Sequence, residues 1–379
     1  MSTIKVTNIE HESTGNGGIQ LDNAGHVTVD GVQMPTAGAF SNRNLIINGD
    51  QRIDQRNNGS AVTTSSSYPV DRFLYSHSSN GAFSGQRSTE APTGFQFSTK
   101  TTTTTADTSI SGTQRLLYFT KLEDTNLNHL EYGTVNAKTV TLSFWVRSSV
   151  TGTFSGSLQN GFVNRSYPYD YTINAADTWE YKTITIPGDT SGTWTGNNGV
   201  SHQVFWSLGI SSSNSATAGA WTNGQIWGST TGTANILTTL NATWYVTGVQ
   251  LEVGEKATPF EHRSYGDELQ RCERYFQTYG QVFGLVFSNY TNTNGYGSLH
   301  LRTQMRTNPT VYHLEAHNSS HLNYYSNGGS GRTLNSFTLN QGRPHVCQFA
   351  VSSSDLGGQG NAAHMDINQT DAIQFQAEL

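Results

Sequence analysis

The sequence predicts an all-β chain organised around an antiparallel sandwich, and three observations carry that prediction. Apolar residues recur in twos along runs of four to nine residues, Gly, Asn, Ser and Thr clusters separate those runs, and one segment alone has helical spacing. Charged residues make up 13% of the 379, about half the usual quarter. The 17 Tyr, 17 Phe and 7 Trp exceed what a solvated linker carries, so the bulk of the chain folds. The hydrophobic fraction is 34% with Tyr included, and adding Gly leaves it under the roughly 45–50% of ordinary domains. A thin core is therefore expected, and with it an oligomer in which identical chains bury further apolar surface.

Residues 1–39 hold two short alternating runs, Gly18-Ile19-Gln20-Leu21 and His26-Val27-Thr28-Val29, joined by the hairpin-like turn Asp22-Asn23-Ala24-Gly25. So small a pair has no core of its own and is expected to persist as an attachment segment, docked on another protein or wrapped threefold about an axis. From 40 to 263 the sandwich pattern dominates. Val140, Leu142, Phe144 and Val146 share one face, Val204, Trp206, Leu208 and Ile210 repeat the pattern, and Tyr245, Val249 and Leu251 are placed inward in the same way. Trp179 to Ile186 reads as a strand stopped by Pro187-Gly188-Asp189, and the Thr run at 99–105 as an edge strand or a loop. At 264–280 a linking helix is predicted, with Ser264 and Asp267 as its cap and Leu269, Cys272 and Phe276 as its apolar stripe. Alternation returns over 281–379, giving a distal C-terminal β-domain.

Several function classes fall away on charge and motif. A net charge of -6 with scattered Lys and Arg lacks the basic stripe that neutralises phosphates, so nucleic acid is not an expected partner. Two cysteines, Cys272 and Cys347, are too few for a disulfide framework, and the first residues lack the features of a secretion signal, so synthesis in a reducing cytosol is expected. No run of about eighteen apolar residues is present, so membrane insertion is not expected. His313, His317 and His321 fall at intervals of four, but the flanking residues are not helical and a strand would set them about 13 Å apart, so surface or interface histidines are the reading and no metal or cofactor is assigned. Asp50 with Asp54, Asp170 with Asp177, and Glu252 with Glu255 could each pair for glycoside hydrolysis, but turn-forming acids are commoner in such chains. No phosphate loop, G-x-S-x-G or H-E-x-x-H occurs, and no coil repeat of a long parallel β-helix. A catalytic site is not expected.

Four stretches carry a family likeness. NLIINGDQRIDQR at 44–56 and YPVDRF at 68–73 resemble the opening of the binding module of phage tail fibres and tail spikes, and WYVTGVQLEVGEKATPFEHRSYGDELQRCERYF at 244–276 resembles its close. TWEYKTITIPGDTSGTW at 178–194 resembles a strand and loop of the same module. The resemblance implies a jelly-roll-like, carbohydrate-binding-like middle domain over 40–263, in a homotrimeric tail fibre or receptor-binding protein of the virion tail, made in the host cytoplasm. It further implies that the N-terminal segment docks to tail proteins and the C-terminal domain meets a host surface glycan or outer-membrane receptor. A purely structural virion part, such as a tail adaptor or head decoration, and a polysaccharide-degrading spike are the alternatives.

A sugar ring presents apolar C–H faces edged by hydroxyls, so its site needs flat aromatic faces beside amides and carboxylates. Tyr167, Tyr169, Tyr171, Trp194, Trp221 and Trp227 are loop candidates in the middle domain. Tyr290, Tyr296, Tyr324 and Tyr325 are the favoured ligand-binding residues, because the far end of a fibre meets the host first. Asp71, Arg72, Glu261 and Arg263, within the likeness, are expected to pair structurally where the first and last strands meet.

Overall fold

Alternation becomes sheet wherever the sequence carries it. The computed structural model describes residues 8–9, 18–21, 27–29, 32–33, 42–194, 198–280, 285–314, 322–326, 330–332, 334–367 and 373–379, and the chain forms two compact units, Met1–Arg263 and Ser264–Leu379. Strands β1 (Asn8–Ile9), β2 (Ile19–Leu21), β3 (Val27–Val29) and β4 (Val32–Gln33) make an antiparallel meander. The expected hairpin is β2 with β3, Ile19 opposite Val29 and Leu21 opposite Val27; the turn itself lies outside the described residues.

The rest of the first unit comprises β5 (Phe73–Ser78), β6 (Ala82–Ser88), β7 (Ser98–Thr105), β8 (Arg115–Glu123), β9 (Val140–Ser148), β10 (Gly152–Asn160), β11 (Arg165–Ile173), β12 (Glu180–Ile186), β13 (Val200–Ile210), β14 (Ser215–Ala216), β15 (Thr222–Asn223), β16 (Gly228–Ser229) and β17 (Thr243–Val253), which form a two-sheet sandwich apart from β14 and β16, a separate parallel pair. One sheet has the order β15-β11-β10-β13-β8-β5 and the other β12-β9-β17-β7-β6. Both are antiparallel throughout.

Val140, Leu142, Phe144 and Val146 of β9 and Val204, Trp206 and Leu208 of β13 are wholly buried between the sheets, each contributing roughly 1.5–3 kcal/mol. Ile210 is only half-buried and packs with the outer-face residues Phe119, Phe205 and Trp227, because a bulge between Ser207 and Gly209 shifts the alternation before it is reached. The core is not thin. Phe73 stacks on Tyr118 at 5.3 Å, Phe144 meets Trp206 edge-on at 5.5 Å, and Trp244 meets Tyr118 at 5.7 Å, so few but large rings fill the volume that a count of aliphatic residues underestimates.

Two further expectations are corrected here. The Thr run is neither edge nor loop: β7 lies inside its sheet, paired with β17 and β6, and its inward hydroxyls are used. Thr99 and Tyr118 both donate to Gln51 Oε1 at 2.8 and 2.5 Å, and Tyr75 Oη lies 2.6 Å from Thr101 Oγ1, which satisfies buried polar groups that would otherwise destabilise the core. In β17 a bulge between Thr247 and Gln250, with Gly248 at φ 61°, reverses the parity. Trp244 and Val246 face the core before it, Val249 and Leu251 after it, and Tyr245 turns outward, donating to Glu90 Oε1 at 3.1 Å.

The second unit begins with α1 (Tyr265–Glu273), capped as predicted by Ser264, whose side chain accepts from the Asp267 amide at 3.2 Å. The helix is shorter than 264–280. It ends at Glu273, and Phe276 opens β18 (Phe276–Tyr279), a strand. Then follow β19 (Leu285–Asn289), β20 (Asn294–His300), β21 (Thr310–Leu314), β22 (Leu322–Ser326), β23 (Ser330–Arg332), β24 (Ser336–Gly342), β25 (Val346–Ser352), β26 (Ala362–Ile367) and β27 (Ile373–Gln376). They form a sheet β18-β27-β21 and a sheet β23-β22-β26-β19-β20-β25-β24, with Phe287, Tyr324, Phe349, Met365 and Phe375 in the core.

Candidate ligand-binding faces

The motifs at the two ends of the first unit meet, and several of their polar residues serve to build it. Glu261 accepts the Arg43 and Asn44 amides at 3.1 and 3.0 Å and pairs with Arg263 at 3.1 Å. Arg263 in turn donates to the carbonyls of Asn44 and Ile46. Asn44, buried, donates to Val249 O at 3.0 Å and accepts from Ile46 N and Leu251 N at 2.9 and 3.1 Å. Asp71 accepts from Gln55 and Arg56, and Arg72 donates to Lys121 O at 2.7 Å. These groups form a latch between the entry segment, β5, β8 and β17, the structural role that the likeness and the charge pattern suggest.

Four of the six middle aromatics are interior, and Trp194 and Trp221 are partly buried against the core. Tyr167, Tyr169 and Tyr171 lie on β11, not in a loop, and alternation turns all three into the core. Trp194 and Trp221 form a box with Tyr132 and His202: Trp194 is 4.5 Å from His202 and 5.7 Å from Trp221, and Tyr132 is 4.7 Å from Trp194. Their indole N–H groups donate to Ser191 O and Pro187 O. Burial in this box pushes the His202 imidazole down to about 3. Trp227 is buried beneath the Arg115 guanidinium, 4.7 Å from its ring.

The four C-terminal tyrosines divide. Tyr324 and Tyr325 are neighbours on β22, so they point to opposite sides of the sheet. Tyr324 is wholly buried, its hydroxyl donating to Asn289 Oδ1 at 2.6 Å, which removes it from any ligand-facing set. Tyr325 lies on the outer side and stacks on His364 at 5.0 Å. Register continues that row, Tyr325 opposite His364 and His364 opposite Val286, with Ser288 opposite Tyr296 and Tyr296 opposite Ala350 in the next. Val286 is 67% exposed, Tyr290, in the β19–β20 turn, 66%, and Tyr296 38%. The rings of Tyr290 and Tyr296 meet edge-on at 6.1 Å. The result is an outward aromatic face bordered by hydroxyls such as Ser288 and Thr338. Val286 and His364 were missed by sequence reasoning, although strict alternation in Leu285–Asn289 and Ala362–Ile367 marks them as outward.

The acidic candidates serve turns and loops. Asp54 caps its turn by accepting from the Asn57 and Gly59 amides at 3.0 and 2.6 Å, Asp170 accepts from the Ser229 and Thr231 hydroxyls, and buried Glu252 accepts the Thr258 amide and hydroxyl at 2.8 and 2.6 Å. Asp177 takes a left-handed turn position at φ 53°, and the Glu255 carbonyl accepts from Thr185. Asp50 pairs with Arg52 at 3.0 Å. His317 and His321 lie outside the described residues, as does the side chain of His313; among the described residues no group of three or more His, Cys, Asp or Glu is placed to hold a metal. No helix of the described residues is long and apolar enough to cross a membrane.

No protein-family model and no curated protein sequence matches the chain. Among solved structures, it is similar to the enzymatically active domain of tailspike protein 4 of bacteriophage CBA120, at 13% identity over 58% of this chain and 24% of that one, TM-score 0.28. It is also similar to the family 11 carbohydrate-binding module of a Clostridium thermocellum cellulosomal cellulase, at 12% identity over 52% of this chain and 98% of that one, TM-score 0.26. A third is TmCBM61 in complex with β-1,4-galactotriose, at 6% identity over 56% and 99%, TM-score 0.27. The chain spans about a quarter of the tailspike domain's length. Scores this low carry no argument about what this protein does.

Proposed function

We propose that this chain is a non-catalytic adhesion protein of the phage tail-fibre kind, which holds a host-surface glycan on the outward tyrosine face of its C-terminal unit. The observation that carries this reading is the pairing of two exposed tyrosine rings, Tyr290 and Tyr296, with Val286 and the Tyr325–His364 stack on one side of one sheet. Exposed rings on a rigid sheet suit the apolar face of a sugar, and the hydroxyls around them suit its edge. The bracketing motifs support the family side of the reading. In it the N-terminal segment docks to tail proteins, the chain assembles as a homotrimer on the virion tail, and several weak sites acting together give firm adsorption.

The test is to present the full chain to an array of bacterial surface glycans and to assay retained glycans for new reducing ends. Retention without new ends is expected. No retention on any glycan favours a purely structural virion part, and release of reducing ends favours a polysaccharide-degrading spike.

A further inference from the structure

Not every motif residue is spent on the latch. Asp50 and Arg52 from the entry segment, Gly94, Phe95 and Gln96 from the turn before β7, and His262 from the closing segment line an open hollow of about 330 Å3. Small-molecule sites run from roughly 300 to 1,000 Å3.

Each wall of the hollow is fixed by something else. Pro92 to Phe95 is a turn closed by Phe95 N donating to Pro92 O at 3.1 Å, with Gly94 at φ 94°, the conformation a type II turn requires at its third position. The Phe95 ring then lies over the β17 bulge: a Cβ at Gly248 would come within 2.7 Å of it, so only glycine there lets the ring sit so close. Phe95 also packs against His262 at 5.3 Å and Phe260 at 5.1 Å. Opposite, Arg52 binds Asp50 at 3.0 Å and donates to Arg263 O at 2.7 Å, while its own carbonyl accepts from Arg87 at 2.8 Å. His262 stands between Glu261 and Arg263, whose side chains both serve the latch.

We propose that this hollow is a second saccharide site, which takes one end of an uncharged sugar chain. A half-buried phenyl ring supplies the stacking face, and the imidazole of His262 and the amide of Gln96, both exposed, supply hydrogen bonds at the mouth. The Asp50–Arg52 pair offers acceptor and donor atoms fixed side by side, as adjacent sugar hydroxyls need, and its two charges cancel, so the pair itself gives no net attraction for an acidic ligand. The site uses none of the residues of the tyrosine face and stands or falls apart from it.

The experiment follows the ring signals of His262 by NMR in the 13C-histidine-labelled full chain, assigned by comparison with His262→Gln. The probes are the methyl glycosides of glucose, galactose, mannose and N-acetylglucosamine, with N-acetylneuraminic acid as the charged control. At least one neutral glycoside is expected to shift His262 in a saturable way, and the acid is not. Phe95→Ala should weaken that binding about tenfold or more. If this variant fails to fold, Gln96→Trp, which fills the mouth from an exposed position, should abolish the shift. Tyr290→Ala with Tyr296→Ala should leave it unchanged. The proposal is overturned if His262 does not respond to any neutral glycoside, if N-acetylneuraminic acid shifts it equally, or if the tyrosine pair rather than Phe95 governs the response; the first outcome leaves the tyrosine face untouched.

Discussion

Asn44 is the residue through which the two ends of the first unit hold each other. Its amide serves one carbonyl and two backbone N–H groups, all within or beside buried backbone. Asn44→Ala leaves those groups without their partner, at roughly 1–3 kcal/mol for each buried group left unsatisfied. A loss of about 2–4 kcal/mol in urea unfolding is expected, with the C-terminal tyrosines unaffected. Titration provides a second residue-scale prediction. Burial lowers His202 from 6.5 to about 3, so between those values the unfolded chain binds a proton that the folded one refuses. Its contribution is therefore complete above pH 6.5 and is lost as the pH falls toward 3. Glu180 behaves similarly lower down: burial alone would raise its carboxyl, but hydrogen bonds from Lys182, Ala175 and Asn174 outweigh that and hold it at about 2 against 4.5, so its contribution drains between pH 4.5 and 2. Urea midpoints measured against pH should fall less steeply over the upper range in His202→Phe and over the lower range in Glu180→Gln.

At the scale of elements, what was legible in the sequence depended on parity. Where alternation is unbroken, as in β9, the inward residues could be read directly. Where a bulge intervenes the same rule misleads: Gly248 moves Tyr245 outward, and the shift near Ser207 moves Ile210 out of the core. Applied consistently, the rule also excludes Tyr324 and Tyr325 from a shared face, because consecutive strand residues point to opposite sides. The Thr run looked like a margin because it lacks apolar residues; only the partners of its hydroxyls, Gln51 and Tyr75, show why it belongs inside. The hollow beside Phe95 was hidden for a different reason, since its walls come from three segments far apart in the chain. Two substitutions examine these elements. Thr101→Val deprives the buried Tyr75 hydroxyl of its partner and should cost about 1–3 kcal/mol. Gly248→Ala combines a left-handed backbone with a Cβ pressed against Phe95 and Trp145, and should cost about 1–3 kcal/mol while also weakening glycoside binding at the hollow.

For the whole molecule, the structure alters the argument for self-association. Modest apolar composition suggested that only an oligomer could complete the core, yet the first unit encloses Trp206, Trp244, Tyr118, Phe144 and Phe154 within a single chain. A fragment spanning residues 42–263 is therefore expected to fold as a monomer, with one cooperative transition, and sedimentation velocity together with calorimetry checks this. Trimer formation, as proposed for the full chain, then serves to multiply weak sites and not to rescue the fold. If adhesion resides on the C-terminal face, removing its two exposed rings must abolish it without harming the body. The direct measurement compares the full chain with the Tyr290→Ala, Tyr296→Ala double variant on the glycan that retains the unaltered protein, alongside their thermal midpoints. The account predicts retention lost and midpoints within about the small range of surface substitutions; undiminished retention by a folded double variant contradicts it.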